Sequence, residues 1–406
     1  MKRTIVFVYN SFSDPLFQSN LYQYILKYQK SYPGKVWFTV ISFEQAEFGL
    51  NADERSTIHA DLKKLNIEWI PLKWHTGQPK ILIKAFDLLI SVLMVAKLRL
   101  KGYRQVVSLG TVAGAFSQLI SEIFRLKHFN YQYEPHGEFL RDFGLIGSLP
   151  FKILNFLEDR IGKKAEVIAT GTNHMLDRLH SRNRTKNLFL VPSCVDEGRF
   201  VFSAQAREEI REKLSLSPDQ HVFVYAGKLG GIYYDEELLD LFSVFAEKIE
   251  RSYFLILTGQ PIAPLEERLI QKGIDRNLFC IMKAHFSEMP NYLSAADFGL
   301  VSVPPLPSQK FRSPIKVGEY LCCGLPYLVC EGVSEDDHYA REYQVGVVVN
   351  NFDVDSLERS IPEIQNFLKE KKERLRERCR KIGISYRGFD SLSVTMNQAF
   401  ERLHQG

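Results

Sequence analysis

The run Val222-Phe223-Val224-Tyr225-Ala226-Gly227-Lys228-Leu229-Gly230-Gly231 passes from an apolar strand pattern into three glycines around one lysine. Asp235, Glu236 and Glu237 then open a helix-period segment. A strand, a glycine turn and a helix in that order make half of a β–α–β unit, whose helix carries the chain back across a sheet. The same rhythm extends in both directions. After residues 222–226, strand patterns recur at 253–258, 278–282, 298–303, 327–330 and 346–349. Upstream they fall at 4–9, 36–42, 105–108, 130–134, 166–169 and 188–191, with helical periodicity between most of them. Strands alternating with helices predict an α/β protein with parallel sheets covered by helices.

At 406 residues the chain exceeds what one hydrophobic core usually supports. The rhythm breaks at Val191-Pro192-Ser193-Cys194-Val195-Asp196, and a polar helix pattern at 204–214 leads into the second series. Two Rossmann-like domains are expected, at residues 1–192 and 193–383, with 384–406 a C-terminal helix packing back on the first. Neither a repeat nor a long Gly/Ser linker interrupts them, so the halves are expected to face each other across a cleft. In open α/β sheets ligands sit beyond the carboxyl ends of the strands.

Bulk composition narrows the function classes. Apolar residues make up 45% and charged residues 25%, as in ordinary globular proteins. With 52 basic against 48 acidic residues, no nucleic-acid partner is expected. The six cysteines form no CxxC pair and no zinc spacing, which predicts free thiols in a reducing compartment and no metal site. The opening MKRTIVFVYNSF reads as a first strand, because its apolar run meets Asn10 and Asp14 instead of a cleavage site. Residues 81–100 are interrupted by Lys84, Asp87 and Lys97, which predicts an amphipathic or buried helix and not a span. A cytoplasmic protein is expected, with peripheral association at the inner face of the membrane as a further option. The interleaved Lys, Arg and Glu of residues 367–381 read as a solvated helix face with i,i+4 pairs.

The chemistry concentrates in Ser313-Pro314-Ile315-Lys316-Val317-Gly318-Glu319-Tyr320-Leu321-Cys322-Cys323-Gly324-Leu325-Pro326. Ser313 is of N-cap type, Pro314 suits the first helical position, and Gly324 with Pro326 ends the helix. The start of such a helix offers free N–H groups and a positive dipole end, which suit a diphosphate. Lys316 adds a full charge in the first turn, and Glu319, on the same face, is able to accept from both hydroxyls of a ribose. Gly318 would let a ligand approach the backbone. The competing reading is a bare i,i+3 ion pair between Lys316 and Glu319, worth ~0.2–0.5 kcal/mol on a helix surface. Gly227, Lys228 and Gly230 form a second phosphate-type element, a curled backbone with one cation. It lacks the Gly-Lys-Ser/Thr ending of a Walker loop.

In the first half, Pro135-His136-Gly137-Glu138 sets a histidine just past a predicted strand. Its histidine-x-glutamate resembles a zinc deaminase motif, but no Pro-Cys-x-x-Cys follows. Residues 11–19 are expected to line the acceptor side, with Asp14 also suited to cap a helix begun by Pro15. Asp297 reads as a strand-start or turn carboxylate.

Pro192-Ser193-Cys194-Val195-Asp196 with Phe200, Tyr225-Ala226-Gly227-Lys228, Tyr292-Leu293-Ser294-Ala295-Ala296-Asp297 and the 313–326 segment resemble the two-Rossmann (GT-B type) glycosyltransferases. The likeness is to the retaining, family-four-like group that builds bacterial surface polysaccharides, capsule among them. It implies that Lys228 and Lys316 bind donor phosphate, that Glu319 holds the ribose, and that His136 approaches the transferred sugar or its phosphate. The catalytic candidates are then His136, Lys228 and Lys316. The donor site comprises Gly227, Lys228, Gly230, Ser313, Pro314, Lys316 and Glu319. No cofactor or metal is implied beyond a nucleoside-diphosphate sugar of UDP or GDP type, with a saccharide or lipid-linked saccharide as acceptor. Two departures stand out: Phe311 occupies the position of a glutamate that grips the donor sugar, and no second basic residue follows Lys228 closely, Lys310 and Arg312 being the nearest substitutes. Two other readings remain, a nucleotide-sugar 2-epimerase drawing on Glu138 and Asp142, and a non-catalytic sugar-binding protein.

Overall fold

The computed structural model describes residues 2–182 and 187–405. Two compact units share the chain, Met1–Pro192 with Leu392–Gly406, and Ser193–Ser391. The first holds strands β1 (Lys2–Phe7), β2 (Val36–Glu44), β3 (Ile67–Lys73), β4 (Gln105–Leu109), β5 (Lys127–Tyr131), β6 (Val167–Thr170) and β7 (Leu188–Leu190). All pair in parallel, in the order β3-β2-β1-β4-β5-β6-β7. The second holds β8 (His221–Ala226), β9 (Ser252–Leu257), β10 (Phe279–Met282), β11 (Phe298–Leu300), β12 (Tyr327–Cys330) and β13 (Gly346–Val349), also parallel, in the order β10-β9-β8-β11-β12-β13. In each sheet the chain builds outward to one edge, returns past its first strand and builds to the other. Right-handed crossovers place the helices before and after that reversal on opposite faces, which leaves a crevice where the direction switches. Burial on both faces explains the continuous apolar character of strands such as Val222-Phe223-Val224.

Differences from the sequence reading have local causes. β3 is not legible because Pro71 interrupts Ile-Glu-Trp-Ile-Pro-Leu-Lys. Proline is tolerated there because β3 is an edge strand, where one side of the backbone needs no partner. The run expected at 298–303 shortens to β11, because beyond it the Ser302 carbonyl accepts the Tyr234 N–H at 3.1 Å instead of continuing the ladder.

Residues 367–381 are not one solvated face. A helix ends at Lys369 and another runs Lys372–Arg387, with Leu375 and Cys379 buried. Their cations hold the unit together. Lys372 reaches Asp297 at 2.7 Å, and Arg380 donates to the carbonyls of Phe200, Cys322 and Glu197. Asp297 also takes Arg207 at 2.8 Å and the Val222 N–H at 3.0 Å. Burial pushes that carboxyl up, and Arg207 and Lys372 outweigh it, so Asp297 stays below the usual carboxylate range. Its role is to join the start of β8 to the helices around it.

Residues 81–100 lie in the helix Lys80–Leu100, and among the described residues no helix is long and apolar enough to cross a membrane. All six cysteines are free thiols.

Candidate functional site

The switch in the second unit lies between β8 and β11. Two of the sequence-predicted segments leave the sheet there. The Gly227–Asp235 stretch follows the carboxyl end of β8, and residues 301–314 lead from β11 into the helix Ile315–Cys322. That helix is seated by Tyr320, whose ring lies where a Cβ on Gly299 of β11 would fall and whose hydroxyl donates to the Leu300 carbonyl at 3.1 Å. A Schellman ending closes it: Gly324, at φ +78°, donates to the Leu321 carbonyl, and the Leu325 N–H reaches back to Tyr320 at 2.9 Å.

The glycine loop is braced from several sides. Gly230 and Gly231 both have positive φ, which a β-branched residue would not tolerate. Tyr225 donates its hydroxyl to the Lys228 carbonyl at 2.6 Å. Gln260 grips Leu229 through both its amide groups, accepting from the N–H at 2.6 Å and donating to the carbonyl at 3.1 Å. With its backbone held this way, Lys228 is exposed at the strand end. Gln260 and Ser302 were not legible as site residues, since each acts on a segment more than thirty positions away in sequence or through its backbone.

At the helix start the structure revises the local reading. Pro314 occupies the N-cap position and no side chain caps the helix. Ser313 is not the cap: its hydroxyl oxygen accepts the Ser193 N–H at 3.1 Å and a guanidinium N–H of Arg387. Arg387 is fully buried and claims acceptors wherever the fold provides them, taking also the Ser193 carbonyl at 3.3 Å and Asp336 at 2.6 Å. Gly318 does not admit a ligand. A Cβ there would lie 2.7 Å from Val195 Cγ2 and 2.9 Å from Arg387 Cβ, so the glycine makes room for the core. The first-turn N–H groups thus have no side-chain cap, and Lys316 lies in the same turn. Lys316 Nζ sits 2.8 Å from Glu319 Oε2, the i,i+3 pair that the sequence left open. Glu319 is buried and Lys316 partly exposed, so the pair is anchored at its acidic end. Phe311, at the departure noted above, is buried in a short turn of helix.

His136 belongs to the first unit. It begins the helix His136–Asp142 after β5, half-buried, with Nδ1 3.0 Å from Glu134 Oε1 and its ring stacked on Phe139. Glu138, on which an epimerase would draw, is ion-paired with Arg178 at 2.7 Å. Asp14 caps: it accepts the Leu16 N–H at 2.8 Å and the Asn10 amide at 2.7 Å. Gln18 donates to the Phe12 carbonyl, Ser11 accepts the Gln45 N–H at 2.7 Å and Ser13 donates to the Phe48 carbonyl at 2.8 Å, which fixes the loop against the segment after β2.

Residues 206–385 match the family described as Glycosyl transferases group 1, a range holding Lys228, Lys316 and Glu319, and this supports a glycosyltransferase. The fold points the same way. HepE of Anabaena, in complex with UDP, superimposes with a TM-score of 0.71 at 11% identity over 99% of this chain and 100% of that one. Sucrose-phosphate synthase from Thermosynechococcus elongatus gives 0.72 at 14%, over 100% and 99%. WaaG, a glycosyltransferase involved in lipopolysaccharide biosynthesis, gives 0.65 at 13%, over 98% of each. At such identities the likeness establishes the fold, two Rossmann-like domains of the GT-B type. No curated protein matches the chain by sequence.

Proposed function

We propose that this protein transfers a sugar from a UDP- or GDP-type nucleotide sugar to a saccharide or lipid-linked saccharide, with retention and without a divalent metal, in surface-polysaccharide synthesis. One observation carries the reading: an uncapped helix start with Lys316 in its first turn, beside a braced glycine loop bearing Lys228, at the topological switch of a parallel sheet. The group 1 match and a structural neighbour in complex with UDP-glucose support a nucleotide-sugar donor.

As the glycosyl–phosphate bond breaks, the leaving diphosphate gains negative charge. Donors already fixed at that place lower the barrier without reorganising. The first-turn N–H groups, Lys316 and Lys228 are assigned that task. Glu319 holds Lys316 in place with one oxygen, and a carboxylate has lone pairs left for ribose hydroxyls. Gly227, Gly230, Ser313 and Pro314 shape the backbone around them, and in the first unit the reading gives His136 the transferred sugar or its phosphate.

The test is a thermal-shift screen of nucleotide sugars, followed by turnover with the stabilising donor. Lys316→Ala is expected to lower kcat by about 10²–10³, the loss found for one oxyanion-type donor. Glu319→Gln, which keeps the volume, is expected to weaken donor binding. Wild-type rates and affinities in both variants would remove the assignment.

A further inference from the structure

The helix Lys80–Leu100 is apolar on two sides: Val95 and Leu98 are buried in the core with Leu88, Val92 and Met94 packed against it, and a second apolar stripe faces out. Its buried face also carries two polar groups: Asp87 accepts the Tyr9 hydroxyl at 2.5 Å and pairs with His75 at 2.6 Å, and Ser91 donates to the Asp87 carbonyl. Its outer face carries Leu82, Phe86, Leu89, Leu93 and Leu100, at spacings of four, three, four and seven. Phe86 is 51% exposed, Leu93 58% and Leu100 90%. A surface helix normally buries such a stripe.

The stripe does not stand alone. This helix packs on Gly110–Phe124, which packs on Ser148–Lys164, and the three lie on one face of the first sheet because all follow its reversal. The second helix exposes Leu119 and Ile123. The third exposes Leu149, Ile153 and Phe156, the last at 63%. Contiguous exposed apolar surface of this kind marks an interaction site.

Charge selects the occupant. The three helices run from the carboxyl edge of the sheet to its amino edge, and each ends in exposed cations: Lys97 and Lys101, then Arg125, then Lys163 and Lys164. Among the described residues of these helices Glu122 is the one exposed acid, and it is ion-paired with Arg160. A second copy docking through the same three helices would set cations against cations, with exposed acids, among the described residues, only at Glu122 and, just past the third helix, Glu166. An apolar face edged by cations fits a bilayer, whose hydrocarbon takes the leucines and whose anionic headgroups take the lysines.

We infer that the outer face of the helices Lys80–Leu100, Gly110–Phe124 and Ser148–Lys164 docks on an anionic phospholipid bilayer. The inference stands apart from the transferase reading, because it needs no catalysis.

Flotation of the full chain with vesicles of phosphatidylcholine alone, and with phosphatidylcholine mixed with phosphatidylglycerol, tests it. The expected result is co-flotation with the anionic vesicles only, weakening as salt rises. Lys97→Ala and Lys101→Ala are each expected to lower the affinity roughly fivefold, the worth of one cation near an anionic surface. Phe86→Ser/Leu89→Ser/Leu93→Ser is expected to abolish it with an unchanged Tm, since all three side chains are exposed. Sedimentation of the protein alone is the companion measurement. Failure to float with anionic vesicles, undiminished flotation of the triple variant, or a dimer that the triple variant splits into monomers would each overturn the inference. Donor binding by thermal shift is read separately, so loss of one result leaves the other standing.

Discussion

Arg387→Met places the structural account of the second unit at risk. Arg387 and Asp336 are both fully buried, 2.6 Å apart. Arg387 also reaches Ser193 and Ser313, and its Cβ lies on Gly318. Methionine keeps most of the volume and removes the charge and the donors. Breaking a buried pair from one side costs about 3–5 kcal/mol, because the remaining charge is left uncompensated. For a unit of this size that is a fall in Tm of roughly 6–20 °C. The loss carries a pH signature. Burial already pushes the Asp336 carboxyl up to about 6 with Arg387 beside it, and without that cation it rises further. A carboxyl raised above its unfolded value is protonated in both states at low pH, and its penalty grows as pH rises from the unfolded value to the folded one, so the variant's extra cost builds only above about pH 6. The destabilisation is therefore expected to be larger at about pH 8 than at about pH 5. Urea unfolding of wild type and variant at both pH values measures it. Arg387→Met/Asp336→Leu is expected to recover much of the loss, as apolar replacements of buried pairs commonly do. A cost below about 1 kcal/mol, or one independent of pH, would refute the view that this pair anchors the start of the Ile315–Cys322 helix.

Two further outcomes are expected. Gly318→Ala would gain about 1 kcal/mol in an ordinary helix, yet here its Cβ meets buried atoms at 2.7 and 2.9 Å, so a net loss of about 1–3 kcal/mol is expected by thermal unfolding. A net gain would show that Val195 and Arg387 yield easily. In the first unit burial holds His128 down to about 3, and burial with Lys2 and Lys127 nearby holds His404 down to about 4. Both rings stay neutral in the folded state while the unfolded chain takes up protons, so stability is expected to fall as pH drops below about 6.5, by up to about 1.4 kcal/mol per pH unit for each ring. His128→Gln/His404→Gln should flatten the profile between about pH 6 and 4, and an unaltered slope would contradict the assignment.

Periodicity and punctuation made much of this molecule legible. Residues 327–330 and 346–349 read as strands at the bounds observed, because a parallel strand buried on both faces is an unbroken apolar run between turn residues. The helix after 313 was legible from Pro314, Gly324 and Pro326, and the Lys316–Glu319 juxtaposition from the pitch of a helix. All of these are set within a few residues along the chain.

What the tertiary structure alone decided depends on partners far away in sequence. Ser313 has the chemistry of a cap, but a guanidinium arriving from position 387 takes its hydroxyl. Gly318 looks open until Val195 and Arg387 fill the space above it. Pro71 breaks a strand unless that strand is an edge. Residues 81–100 read as an amphipathic or buried helix, and only the fold shows that Asp87, Ser91, Val95 and Leu98 are the buried side while Leu82, Phe86, Leu89 and Leu93 stay exposed. A side chain's type fixes what it is able to do, while burial and neighbours, assembled from distant segments, fix which of those things it does.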